Sequence, residues 1–172
     1  MIRTRLIVLA TLAALVVGTV ALAGVAWAES GAPRVVRTVP PDGATGVDIT
    51  ANIKAKFSEA MKARSINEST FYLLQGHFSY DDINGCTGPG PLAVECPPVP
   101  VAATVRYNAE TRTAILDPTN PLLCSTEYTA LVEGTGDGDM QAVKDRGGTP
   151  MATDYIFHFT TGLSSGGNPC PF

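Results

Sequence analysis

The chain has 172 residues, twelve Lys and Arg against sixteen Asp and Glu, and a formal charge of −4. Set aside the apolar first 28 residues, and 144 remain with ten basic and sixteen acidic side chains, a charge of −6. That length allows one domain with a real core. An acidic chain without a Lys/Arg cluster lacks what phosphate-backbone binding needs, which excludes nucleic acid as a partner.

Met1 to Arg5 is a positive segment, Leu6 to Gly24 is apolar, and Ala26-Trp27-Ala28 supplies the small residues that a signal peptidase cleaves behind. Residues 1–28 therefore read as a signal peptide with Glu29 as the mature N-terminus. The competing reading is a retained anchor, because the apolar run approaches the roughly 20 residues that span a bilayer. Either way the remainder is expected outside the cytoplasm, secreted or at the cell surface, with no second membrane span.

From Arg34 onward, short alternating runs are separated by Pro, Gly, Asn and Asp, the pattern of an all-β sandwich. The predicted strands are Arg34–Val39, Asn52–Phe57, Phe71–Gln75, Val101–Tyr107, Thr113–Leu116, Glu127–Glu133 and Tyr155–Thr160, seven in all. In Asn52–Phe57, Ile53, Ala55 and Phe57 face one way and Lys54 and Lys56 the other, so one face is wet. Tyr155, Phe157 and Phe159 likewise offer one aromatic face to the core and leave His158 outward. Pro40-Pro41-Asp42-Gly43, Asn108 to Thr111, Asp117-Pro118 and Asn120-Pro121 are turn chemistry. Ser58–Asn67 has enough helix formers for one or two turns. A seven-strand sandwich needs about 100 residues. The surplus lies in an insert over His77–Pro100, in the Gly134–Thr153 connection and in the tail after residue 162. Long loops on a rigid scaffold are where recognition usually resides.

Cys86, Cys96, Cys124 and Cys170 form an even set with no Cys-x-x-Cys, which in an oxidising compartment points to disulfides. Four cysteines allow three pairings. Cys86–Cys96 would close a short loop and Cys124–Cys170 would tie down the tail, worth about 2.8 and about 4 kcal/mol in the chain-entropy model.

The segment Val35-Val-Arg-Thr-Val-Pro-Pro-Asp-Gly-Ala-Thr-Gly-Val47, followed by Ile53-Lys-Ala-Lys-Phe-Ser-Glu-Ala-Met61, resembles the opening of the bacterial Ig-like domain of the S-layer (SbsA) type. Asn67-Glu-Ser-Thr-Phe71, Leu122 to Tyr128 and Phe157-His-Phe-Thr-Thr-Gly162 resemble its later segments. The resemblance covers residues 33–162 and excludes the insert. It implies an Ig-like sandwich with Greek-key connections, and Tyr128 stands where such a fold uses a tyrosine corner. The family often has Pro where this chain has Cys124, which implies a disulfide there. Antiparallel pairing of the last two strands would bring the Cys170 tail near, although Cys96–Cys124 stays open. Copper carriers of similar fold share the Phe-Ser-Glu segment, but they use a mature N-terminal histidine, and here Glu29 is expected first with no His-rich or Met-rich cluster after it.

Catalysis has little support. His77 and His158 are the only histidines, no Gly-x-Ser-x-Gly occurs, and a nucleophile needs a base held beside it. His158 is expected to be an exposed strand residue. Asp137, Asp139 and Asp145 could offer calcium its oxygen ligands, though not at EF-hand spacing. Phe78, Tyr80, Asp81 and Asp82 could stack on and hydrogen-bond a sugar, or the rings could simply cover the end of the core. The sequence thus points to an exported, non-catalytic, monomeric Ig-like module with a structural, adhesive or docking role toward a cell-surface protein or cell-wall polymer. Its runner-up is a carbohydrate- or calcium-binding module using the insert and the 137–145 loop, with no cofactor besides that calcium.

Overall fold

The computed structural model describes residues 31–84, 100–136 and 141–163. Residues 1–28, expected as a signal peptide, and Cys86, Cys96 and Cys170, together with Asp137 and Asp139, lie outside them. Among the described residues no helix is long and apolar enough to cross a membrane.

Eight strands form two four-stranded sheets: β1 (Val35–Val39), β3 (Ile53–Phe57), β6 (Thr113–Pro118) and β5 (Ala103–Asn108) in one, and β2 (Ala44–Val47), β8 (Tyr155–Thr161), β7 (Glu127–Val132) and β4 (Phe71–Gln75) in the other, each in that order. All neighbours pair antiparallel except β2 and β8, which run parallel. Between the sheets, Ile53, Phe57, Phe71, Leu73, Leu116, Tyr128, Val132, Phe157 and Phe159 are essentially solvent-free. The period-two patterns read in β3 and β8 dictate which side chains these are: Ile53, Ala55 and Phe57 are buried, and Phe157 and Phe159 point inward.

Two expectations of secondary structure need correction, and one further element was not foreseen. The strand count is eight among the described residues, not seven, because Ala44–Val47 is a strand. Gly43 before it and Gly46 within it resemble turn punctuation, and two of its four residues are exposed, so neither composition nor alternation marks it. Gly46, with a φ of +68°, lies against Gly162 at the end of β8, where an added Cβ would stand 3.2 Å from Gly46 backbone atoms. Two glycines thus let the parallel pair close. The helix expected over Ser58–Asn67 shrinks to one 3-10 turn at Ala63–Ser65. Met61 and Lys62 are already engaged in an antiparallel bridge, with the Lys62 amide donating to the Lys144 carbonyl at 2.8 Å, and this leaves too few free residues to propagate a helix. Finally, a short helix α1 (Tyr80–Asn84) stands at the root of the insert. Its start is a capping box: Ser79 Oγ and the Ser79 amide donate to Asp82 Oδ2 at 2.6 and 2.8 Å, and the Asp82 amide donates to Ser79 Oγ at 3.3 Å.

Tyr128 is a tyrosine corner. Its hydroxyl accepts the Leu123 amide at 2.8 Å, five residues upstream, while its ring stacks on Phe159 with centroids 5.7 Å apart. Burial raises the phenol above its usual pKa, and the Leu123 bond opposes that shift. Tyr128→Phe keeps the ring and strands the Leu123 N–H, so a loss of about 1–2 kcal/mol is expected. A urea melt should show a lower midpoint at an unchanged slope. An unchanged midpoint would mean that the corner contributes nothing.

Candidate functional site

The outward face of the β2-β8-β7-β4 sheet is not a wet face. Leu74, Thr129 and Leu131 point away from the inter-sheet core and yet are buried, with at most 1 % exposure. The continuous runs Phe71-Tyr-Leu-Leu74 and Tyr128-Thr-Ala-Leu-Val132 carry that signal, since a strand covered on both sides needs no alternation. The chain leaves β4 at Gly76, whose amide donates to the Glu127 carbonyl at 2.8 Å. It returns to the same strand, where Pro100 bridges Leu74 and the Val101 amide donates to the Leu73 carbonyl at 2.7 Å.

At the root of the insert the contacts converge on two side chains of neighbouring strands, Thr129 and His158, which register opposite each other across β7 and β8. The Thr129 hydroxyl donates to the Gly76 carbonyl at 2.7 Å and accepts the Phe78 amide at 3.0 Å. His158 Nε2 lies 3.0 Å from the Phe78 carbonyl. A carbonyl only accepts, so Nε2 carries a proton. The two imidazoles stack, with centroids 4.2 Å apart and planes at 15°. His77 Nδ1 meets Glu127 Oε1 at 2.8 Å, and His158 Nδ1 lies 3.7 Å from Asp42 Oδ1.

Asp42, from the Pro-Asp-Gly turn, also accepts the His158 amide at 2.8 Å, and the Gly43 amide donates to the His158 carbonyl. The turn thereby finishes the hydrogen bonding of β8 where parallel pairing with β2 has yet to begin. The expectation of an exposed His158 is therefore corrected: its side chain is 23 % exposed, held between the insert root and this turn. Phe78, offered either to a sugar or to the end of the core, is half-buried and folds back on its own Gly76, where an added Cβ would meet its ring at 3.2 Å.

Tyr80 opens α1, and Asp81 and Asp82 are exposed in its first turn. The Asp82 carboxyl is held below its usual pKa, first by the Ser79 hydroxyl, then by the Ser79 amide, with a smaller contribution from nearby His77. Asp145 is buried, and its Oδ1 accepts the Thr149 amide at 2.7 Å, which closes a turn within the β7–β8 connection. Among the described residues no three His, Cys, Asp or Glu side chains converge to hold a metal. Cys124 is disulfide-bonded, to a partner outside the described residues.

The sequence missed Thr129 and Glu127 as site residues and kept the two histidines apart. The available signals were the Ser79/Asp82 capping pattern and the outward position of His158 on β8. Pairing it with Thr129 required the strand register. Chemically the arrangement is an anchor. Both imidazoles face a carbonyl or carboxylates rather than a nucleophile, and the Ser79 hydroxyl is committed to Asp82.

In solved structures, PcoC, a methionine-rich copper resistance protein from Escherichia coli, superposes with a TM-score of 0.50 at 17 % identity, covering 76 % of this chain and 99 % of that one. CopC from Methylosinus trichosporium OB3b gives 0.48 at 11 % identity over 76 % and 93 % of the two chains. Domains 1–6 of the surface layer protein SbsC give 0.47 at 14 % identity, over 77 % of this chain and 14 % of that one. Such identities establish likeness of fold only. No curated protein matches the chain. The family model for the bacterial Ig-like domain matches residues 29–161, which takes in both sheets and the insert root, and the chain belongs to that family.

Proposed function

We propose that the chain is an exported, non-catalytic Ig-like module of the S-layer type that docks a cell-surface protein or cell-wall polymer through the insert carried on its β4-β7-β8 face. The observation that carries this reading is the way the insert is rooted. Gly76, His77 and Phe78 are tied to Thr129, Glu127 and His158 on two neighbouring strands, so the chain enters the insert from a fixed platform. A pre-positioned loop loses less conformational entropy on binding than a free one. The platform is rimmed by exposed acids, Asp42, Asp81, Asp82 and Glu127, which favours a partner that brings cationic or hydrogen-bond-donating groups. PcoC is a copper resistance protein, but the described residues of this chain give no support to a copper role. Of the four methionines, Met61 and Met151 are core residues, and the described residues hold no convergent ligand set.

Co-sedimentation of the secreted protein with cell envelopes of its source tests the proposal. The native chain is expected in the envelope pellet, and His158→Ala, which releases the Phe78 carbonyl, should be retained several-fold less. No retention, or equal retention of the variant, would overturn it.

A further inference from the structure

The opposite end of the same sheet carries a cleft of about 340 Å³ lined by Lys62, Arg64, Ser65, Asn67, Gln141 and Lys144, with Thr70 and Ala142 completing the wall. We infer that this cleft binds the phosphate or carboxylate groups of an anionic glycan, as a second contact surface independent of the insert platform. Among the described residues three cations and no acid line it, on a chain that is acidic overall.

Their placement is fixed. The Met61–Asp145 bridge puts Lys62 directly opposite Lys144, with the Lys62 amide on the Lys144 carbonyl at 2.8 Å. The Ser65 hydroxyl locks the two segments together, donating to the Lys62 carbonyl at 2.8 Å and accepting the Lys144 amide at 2.9 Å. Like charges directly opposite across a β pairing destabilise it. Both lysines are half-buried, and among the described residues neither they nor Arg64 forms an ion pair. Asp145, whose backbone pairs with Met61 next to Lys62, is turned to the Thr149 amide.

The hydroxyls cannot serve as the recognition groups, because Ser65 and Thr70 bond to backbone. What the cleft offers is positive charge held at fixed separation, and oxyanions are the groups that charge-assisted hydrogen bonds from Lys and Arg recognise. Separate cationic positions in an open groove suit a polymer with repeated anionic groups better than a single ion, since linked contacts reinforce one another.

The test is a titration of the ¹⁵N-labelled secreted protein, followed by NMR, with a glycerol phosphate oligomer in one arm, polygalacturonate in a second, and sodium chloride at matched ionic strength in a third. Saturable shifts are expected at the Lys62, Ser65 and Lys144 amides with at least one polymer and not with chloride. The polymer that acts names the oxyanion. A variant carrying Lys62→Gln and Lys144→Gln should bind about tenfold more weakly. Lys62→Arg should retain binding, and Lys54→Gln with Lys56→Gln on β3 should change nothing. The inference is overturned by no saturable shift with either polymer, by equal weakening in the β3 variant, or by shifts that follow protein concentration alone, which would place the acidic end of another copy in the cleft. Because the insert platform is intact in every variant, failure here leaves envelope docking untouched, and the reverse.

Discussion

Phe157→Ala is expected to destabilise the protein by about 3–5 kcal/mol, whereas His158→Ala, one residue further along the same strand, should cost about 1 kcal/mol. Phe157 is fully buried between the sheets with its ring 6.1 Å from that of Tyr155, so truncation leaves a cavity that fixed strands on both sides cannot close. A domain of this size has roughly 5–15 kcal/mol of stability in total, so the Phe157 variant should lie close to its unfolding midpoint in mild urea. His158 faces the insert, and its removal strands one carbonyl that water can reach. Urea melts give the two costs. Amide exchange should add a second difference, with the Phe78 N–H losing more protection in His158→Ala than the global cost of about 1 kcal/mol explains. Equal melts for the two variants would contradict the two-faced assignment of β8.

The contrast between these neighbours also marks how far the sequence could be read. Period-two alternation placed β3 and β8 correctly because each has one face on the inter-sheet core and a polar set opposite. β4 and β7 were found as strands, but their outer faces were not anticipated to be buried. Pro100 bridges Leu74 from a distance of 26 residues along the chain, and Leu74 and Leu131 carry no local mark that their outer sides are covered. β2 was missed because it is held by a close approach of Gly46 to Gly162, a contact between residues 116 positions apart in the chain. For the same reason the sequence offered His77 and His158 singly. Their stacking depends on the β7–β8 register and on the Gly76 turn, both tertiary facts. The basic cleft escaped altogether, since Lys62, Arg64 and Lys144 do not form a run and only the Met61–Asp145 bridge brings two of them together.

That bridge and the insert root sit at opposite ends of β4 and β7. β4 begins beside the cleft at Phe71 and ends at Gln75 beside the platform, while β7 runs from Glu127 at the platform to Val132. Strands of this length span roughly 17–20 Å. An acidic platform and a basic cleft are therefore held apart on one rigid sheet, which allows two contacts at once without either altering the other. Such an arrangement suits a spacer between two partners.

The position of the cleft depends on Gly134, and Gly134→Ala is the second substitution with a large expected cost. A Cβ there would stand 2.4 Å from both the carbonyl carbon and oxygen of Thr153 and 2.9 Å from the Asp154 amide nitrogen. These are backbone atoms, so no side-chain rotation relieves the overlap, and the two ends of the β7–β8 connection must separate. Separation breaks the bond from the Gly134 amide to Asp154 Oδ1, at 2.6 Å, and loads the neighbouring Thr135–Met151 and Met151–Val143 backbone bonds. Overpacking of this kind costs about 3 kcal/mol. Gly136→Ala is the internal control, since its Cβ would meet Thr153 Cα at 3.4 Å, an ordinary contact. With no clash to offset it, the reduced freedom of the unfolded chain should leave that variant neutral or stabilised by about 0.4–1 kcal/mol. Opposite signs in paired thermal or urea melts are the expected result. Equal effects would mean that the strand exit at Gly134 has room that the backbone contacts deny. Because Val143 and Lys144 hang on this closure, Gly134→Ala should also weaken anion binding at the cleft, whereas Gly136→Ala should leave it unchanged.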